Sequence, residues 1–264
     1  MATKIITCIN MSFYHILPSN TSVEMFPNNS ASSYRTPVNP PYQLDGEWEV
    51  AVTGITHSNC INPIANDEVM LTTTTPTTTV EKKKEEKTTT TIILPTAYFQ
   101  TPEQVCAYIT RRIGHRDIEF TYDAHTKRAH LQLKADGLHL QLSTDLCDVL
   151  AFDRALFTKK GKYTASGELS LTRRIHYFYI YSNIGELVRV GDTEAPLLAV
   201  TAFNSKNQFG EDLHERTFRH PYYVRVKQDT ITLIEIAIYD GAGQLVPFHS
   251  DAKTTVRLHF RRCL

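Results

Sequence analysis

Short runs of alternating apolar and polar side chains recur along this sequence, and this period of two constrains the fold more than any other feature. Trp48–Ile55 and Leu138–Leu142 alternate almost residue by residue, as expected of a strand that buries one face. Thr230–Tyr239 and Thr254–Phe260 repeat the pattern, and Asp240–Gly243 supplies turn residues after the first of them. Many short strands with turns between them predict an antiparallel β-sandwich or barrel.

Three further segments extend the strand pattern. Ile118–Tyr122 and Lys127–Leu133 flank the sequence Asp-Ala-His-Thr, a spacing that predicts a β-hairpin. Ile175–Tyr181 is aromatic and contains no glycine or proline, so it predicts a central strand. Its alternate members are expected in the core, and the others are candidates for subunit contacts together with Pro221-Tyr222-Tyr223.

Only two segments predict helices. Thr101 precedes Pro102 and Glu103, which are typical of a cap and a first helical turn. This helix is expected to end near Gly114. A shorter helix is predicted over Thr144–Phe152, with Thr144 as its cap. Both are too small to form a layer, so we expect them at the ends or flank of the sandwich.

Thr72–Thr91 is the most unusual segment, with threonine runs on both sides of a mixed-charge centre. Threonine is β-branched and favours strands. We therefore predict two strands leading out and back, joined by a charged loop at Glu81–Lys87. The alternative is a disordered polar insertion.

Composition bounds the class of protein. The chain has 264 residues, 41% of them hydrophobic, with 28 basic and 28 acidic side chains. This length suits one β domain over 1–264 with an insertion at about 72–91. Neutrality disfavours a general nucleic-acid binder and permits dense self-assembly. Five scattered cysteines without a C-x-x-C pair fit a reducing compartment. Neither a signal peptide nor a membrane span is expected.

Catalytic motifs give no site. His115-Arg116-Asp117 has the H-x-D spacing of a non-haem iron site, and its distal ligand would be one of four histidines: His176, His214, His220 or His259. The tripeptide follows a predicted helix end, however, where His and Arg interact favourably with the helix dipole. We predict no enzyme activity and no catalytic, cofactor-binding or metal-binding residue. Arg257, Arg261 and Arg262 form a basic patch that could meet nucleic acid or the acidic groups of a neighbouring subunit.

A series of motifs, in order along the chain, carries a family resemblance. They are Phe13–Ser22, Phe26–Ser30, Leu44–Val50, Tyr179–Ile184, Val190–Asp192, Ala195–Leu198, Thr230–Ile238, Val246–Phe248 and Val256–Arg262. Together they resemble the minor capsid (penton) protein of Maverick/Polinton elements and the related adintoviruses. Two departures stand out: Asp240–Gly243 lacks two consecutive acidic residues, and Thr72–Thr91 is longer than usual.

The resemblance implies a jelly-roll β-sandwich. The strand pattern of Thr72–Thr91 adds a projecting hairpin-like insertion to it. The resemblance also implies homopentamers at the vertices of an icosahedral capsid, beside trimers of a double-jelly-roll major capsid protein. The location would be the virion, assembled in the host cytoplasm or nucleus. Two other readings stay open: a glycan- or receptor-binding sandwich module, and a cupin-type metalloenzyme. Native size separates the capsid reading from both.

Overall fold

A computed structural model describes residues 6–7, 12–77, 84–203 and 213–263. The chain divides into two compact units. The first comprises residues 1–60 and 175–264, and the second comprises residues 61–174. We call them the jelly-roll unit and the inserted unit.

The elements follow in chain order. The first part of the jelly-roll unit contains β1 (Ile6–Thr7), β2 (Ser12–Pro18), β3 (Ser33–Gln43) and β4 (Trp48–Ser58). The inserted unit contains β5 (Asp67–Thr77), β6 (Lys84–Leu94), α1 (Pro102–Ile113), β7 (Ile118–Asp123), β8 (Arg128–Leu133), β9 (Leu138–Leu142), α2 (Thr144–Leu150), β10 (Leu156–Phe157) and β11 (Gly161–Thr164). The rest of the jelly-roll unit contains β12 (Tyr177–Ser182), β13 (Val188–Val190), β14 (Thr193–Ala195), β15 (Leu197–Ala202), β16 (Leu213–Thr217), β17 (Val224–Arg225), β18 (Thr230–Tyr239) and β19 (Thr254–Arg262).

Two of the sheets described in the jelly-roll unit have strand orders that identify the fold, and β13 and β14 form a separate two-stranded sheet. One sheet has the order β1-β3-β18-β12-β15, and the other has the order β16-β4-β19-β2 with β17 beside β4. Eight strands make up the pattern: β2, β3, β4, β12, β15, β16, β18 and β19. Numbered along the chain, the second, seventh, fourth and fifth form one sheet, and the first, eighth, third and sixth form the other. This double Greek-key order is a jelly roll, which confirms the predicted fold class.

Alternation in the sequence explains why these strands bury one face each. In β19, Val256, Leu258 and Phe260 are fully buried, whereas the residues between them are at least partly exposed. In β18, Ile234, Ile236 and Ile238 are buried in the same way. Apolar side chains at every second position thus build the core of the sandwich.

The inserted unit has its own core. Its sheets have the orders β10-β9-β5-β6 and β11-β8-β7, and its buried residues form one hydrophobic cluster. The predicted hairpin is confirmed as β7 and β8. Helix α1 is confirmed too, with Thr101 as N-cap and Gly114 left-handed at its end (φ 65°). The cap of α2 is Ser143 and not the predicted Thr144, because the Ser143 hydroxyl accepts the Leu146 N–H.

Both helices lie in the inserted unit, where α1 contacts β6 and β7 and α2 contacts β5. The expectation that they flank the jelly-roll sandwich is therefore replaced by a role in a second core. Each helix buries one apolar stripe, including Val105 and Ile109 in α1 and Leu146 and Val149 in α2. A short amphipathic helix is stabilised mainly by such packing.

The Thr-rich segment forms two paired strands, as predicted. β5 and β6 pair without a break from Asp67 with Leu94 to Thr77 with Lys84. The predicted loop at Glu81–Lys87 is too wide, because residues 84–87 belong to β6, and residues 81–83 lie outside the described residues. In the order of the jelly-roll strands the whole of 61–174 is inserted between β4 and β12. That the 264 residues form one domain stays a prediction.

Candidate interaction surface

Strand β12 divides its aromatic side chains between two faces. Phe178 and Ile180 are fully buried in the core, whereas Tyr177 on the other face is 51% exposed. Tyr179 and Tyr181 share that outer face and are half-buried. The alternation inferred from the sequence is therefore present, with every second residue available for contacts outside the sandwich.

Neighbouring strands extend this outer face. Val200 of β15 lies opposite Tyr179 and is 42% exposed. On the other side of β12, Tyr239 of β18 also lies opposite Tyr179. The rings of Tyr181 and Tyr239 meet edge to face, with centroids 5.4 Å apart. We call these five residues the tyrosine face: Tyr177, Tyr179, Tyr181, Val200 and Tyr239.

A groove of about 500 Å³ lies at one end of the tyrosine face. Its walls are Tyr181, Ser182, Asn183, Ala195, Pro196, Glu235, Ala237, Tyr239 and Gly243. The Asn183 amide is fixed, since its nitrogen donates to the Leu233 carbonyl and its oxygen accepts the Glu235 N–H. The Glu235 carboxylate pairs with the Arg35 guanidinium at 2.8 Å. The groove is thus mostly apolar, with its polar groups held in place.

The electrostatics of the tyrosine face favour contact with another surface. Burial raises the pKa of Tyr181, and the neighbouring hydroxyls of Tyr179 and Tyr239 raise it further. The phenol therefore stays neutral and keeps its proton for donation. The centres of protein interfaces are enriched in tyrosine and depleted of charge. Tyrosine is favoured there because its ring brings a large contact area at a low cost in conformational entropy. The tyrosine face has these properties.

The two tyrosines of Pro221-Tyr222-Tyr223 differ in their contacts. Tyr222 is 66% exposed, but Tyr223 is engaged with the other sheet. Its hydroxyl lies 2.8 Å from Nδ1 of His259, and the Arg261 guanidinium lies 3.5 Å from the centre of its ring. Only Tyr222 of this pair is therefore free to contribute to an external contact through its ring.

The predicted basic patch is paired within its own unit. Arg257 donates to Glu215 at 2.8 Å. Arg261 donates twice to one oxygen of Glu49, at 2.9 and 2.8 Å, and Arg262 lies 3.9 Å from Asp45. The sequence suggested nucleic acid or a neighbouring subunit as the source of negative charge. Within the described residues, carboxylates of β4, of β16 and of the turn before β4 pair with these arginines. Contact with nucleic acid or with a neighbouring subunit stays a prediction.

The candidate metal ligands do not gather into a site. No three His, Cys, Asp or Glu side chains within residues 6–7, 12–77, 84–203 and 213–263 could hold a metal ion together. Nδ1 of His115 accepts the backbone N–H of Asp117 at 3.3 Å, so the tripeptide closes a local turn after α1. His176 is exposed, and His259 binds Tyr223 as described above.

A buried histidine in β4 was not predicted from the sequence. His57 is 4% exposed and packs against three phenylalanine rings, with Phe178 nearest at 5.0 Å between centroids. Counting alternate residues from buried Trp48 places His57 on the outer face. A register shift near Gly54 adds one residue to β4 relative to β19, and such a bulge reverses which face later residues occupy. The glycine in the strand was the available signal.

Comparison with known proteins gives matches among solved structures. No protein-family model matches the chain, and no curated protein matches it. Among solved structures, the chain is similar to the crystal structure of the SeMet-labelled mavirus penton protein, with 11% sequence identity, a TM-score of 0.46, and coverage of 96% of this chain and 99% of that chain. Neither helix within the described part of the chain is long and apolar enough to cross a membrane.

Proposed function

We propose that this protein is a structural minor capsid (penton) protein that forms homopentamers at the vertices of an icosahedral capsid of the Polinton/adintovirus type. Its partners are four further copies of itself and the surrounding double-jelly-roll major capsid protein. It acts in the virion after assembly in the host cytoplasm or nucleus, and it performs no catalysis.

The observation that carries the proposal is the jelly-roll strand order of the two sheets. This architecture is common in viral capsid domains, although lectins and cupins share it. The family motifs of the sequence fall on its strands: Phe13–Pro18 lies in β2, Thr230–Ile238 lies in β18, and Val256–Arg262 lies in β19. The resemblance therefore concerns the framework of the sandwich and not its loops alone.

The tyrosine face supplies a surface for self-assembly. A closed ring requires two different patches on each subunit, because each copy contacts the next head to tail. We assign the tyrosine face to one of these patches. Glu235, the one charged residue among the walls of the adjacent groove, is already paired with Arg35. A neighbouring copy would therefore cover it without leaving an unpaired charge buried.

Electron microscopy of the purified full chain tests the proposal, together with native mass spectrometry. We expect five-fold rings in the wild type. Val200→Asp places a carboxylate on the tyrosine face and should weaken ring formation about tenfold or more, because a buried unpaired charge is costly. The control is Ile16→Asp, which alters a side chain 58% exposed on β2 of the other sheet. A strict monomer at high concentration would contradict the proposal.

The groove favours one alternative, a glycan- or receptor-binding module. Two tyrosine rings beside an amide and a carboxylate form an aromatic pocket with fixed polar groups, as small-ligand sites require. A monomer that binds a glycan, and loses binding in Tyr239→Ala, would establish this alternative.

The cupin-type reading predicts stoichiometric iron in the purified protein, which elemental analysis measures directly.

A further inference from the structure

Strand β16 is held weakly to the jelly roll. Within the part of the chain that the structure describes, its five residues pair with one neighbour, β4, from Leu213 with Ser58 to Thr217 with Gly54. Four of the five are exposed, and His214 is half-buried. An edge strand that buries so little apolar surface opens more readily than a central one. Besides the backbone ladder, side-chain contacts hold it, including Glu215 with Arg257 and His214 with His57.

His57 lies beside this strand, on β4. It is the cross-strand partner of His214, and the two imidazole centroids lie 5.7 Å apart. On its remaining sides are Phe178 of β12, Phe203 after β15, and Phe248. Its partner on β19 is Thr254, which is buried and uncharged. Among the described residues, the titratable group in contact with His57 is His214 on the edge strand.

This environment opposes a positive charge on His57. Burial lowers its pKa to about 4, the carbonyl of Ser58 partly offsets the effect, and His214 lowers the pKa further. We call these four neighbours the cage: a protonated His57 would lie against three apolar rings and a second imidazole. Exposure to water removes the cost of the charge. The wall that moves most easily is the one made by β16.

We propose that His57 and His214 form an acid-sensitive latch: when His57 takes up a proton, β16 separates from β4 and opens this edge of the jelly roll. The other edge strand of the same sheet, β2, keeps its pairing with β19. Opening exposes unpaired backbone groups of β4, which can pair with another strand. The latch does not depend on the capsid role, since it follows from the fold of one chain.

Hydrogen exchange of the full chain at pH 7.5 and pH 4.5, corrected for intrinsic exchange rates, tests the latch. If His57 has its ordinary pKa in the open form, acidification should raise the opening equilibrium of residues 213–217 roughly 70-fold. Residues 12–18 of β2 serve as the internal control and should change little. Equal protection of 213–217 at both pH values, or equal loss in both edge strands, would overturn the proposal.

Variants separate the latch from general acid sensitivity. His57→Phe keeps an aromatic ring in the cage but cannot take up a proton, so it should abolish the pH dependence at 213–217. His259→Phe, a change on β19 of the same sheet, should retain it. If His57→Phe does not fold, NMR titration of the wild-type His57 ring decides, because its midpoint must coincide with the opening of β16. Separate midpoints would contradict the latch.

Discussion

At the scale of single residues, the inserted unit contains a charge that is almost completely buried. The Asp67 side chain is 2% exposed and accepts hydrogen bonds from the Ala65 N–H, the Ser143 hydroxyl and the Arg173 guanidinium. Arg173 also donates to the Pro63 carbonyl and to Asp145. The pair thus ties the start of β5 to the end of the unit, with its polar atoms satisfied.

Asp67→Asn should destabilise the inserted unit by about 3 kcal/mol, because it leaves the Arg173 guanidinium without its buried counter-charge. Asp145→Asn removes a carboxylate that is 60% exposed from the same arginine. Exposed pairs contribute less, so this control should cost about 1 kcal/mol or less. Chemical denaturation of both variants measures the difference. Equal losses would mean that burial of Asp67 does not set its contribution.

Individual residues also show where sequence reasoning stops. The alternation of β19 and β12 predicted their buried faces, because each strand keeps its parity. The burial of His57 was not predicted, because the alternation of inward and outward side chains reverses within β4. The extra residue that reverses it is defined only by the pairing with β19. The carboxylate partners of Arg257 and Arg261 could not be predicted for a related reason. Their carboxylates on β16 and β4 are distant in sequence, and only strand register brings them together.

At the scale of elements, the backbone before β9 comes so close to the backbone of β5 that a glycine is required there. Gly137 precedes β9 in the left-handed region (φ 77°), and its carbonyl accepts the Thr74 N–H at 2.9 Å. A Cβ atom at this position would lie 3.0 Å from the Thr74 carbonyl oxygen. Gly137 is thus required for two reasons: its left-handed conformation, and the lack of space for a Cβ atom.

Gly137→Ala should therefore cost about 2–4 kcal/mol of unfolding free energy, of which about 1 kcal/mol is backbone strain. Gly114→Ala is the matched control in the same unit. Gly114 has a similar φ of 65°, but its added Cβ would lie 3.8 Å from the nearest atom, in ordinary contact. It should lose only the backbone part. Thermal or denaturant unfolding distinguishes the two, and equal costs would exclude a steric role for Thr74.

Elements were easier to predict than their assignment to units. The helix at 102–113 and the paired strands at 118–133 depend on local capping and turn residues, which the sequence contains. That both belong to a separate core within 61–174 depends on packing between distant segments. The tyrosine face lies between these cases, because alternation predicts its strand but not the contributions of Val200 and Tyr239.

At the scale of the whole molecule, the charge balance predicts how the proposed self-assembly should respond to salt. The chain has 28 basic and 28 acidic residues, and the terminal arginines are paired with carboxylates of their own unit. A surface without excess charge gains little from long-range attraction. Self-association through the tyrosine face would instead draw on burial of aromatic area, which salt screens hardly at all.

We therefore expect the concentration at half-assembly to change less than about threefold between 50 and 200 mM salt. An assembly bridged by nucleic acid would behave differently, because release of counterions from 6–10 phosphate contacts weakens binding by about 10³–10⁵ over this range. Mass photometry across the salt series, with and without nuclease, measures the difference. Arg257→Gln is the matched variant, and it should leave the midpoint unchanged. A steep loss of assembly with salt, removed by nuclease, would show that the arginines bind nucleic acid despite their internal partners.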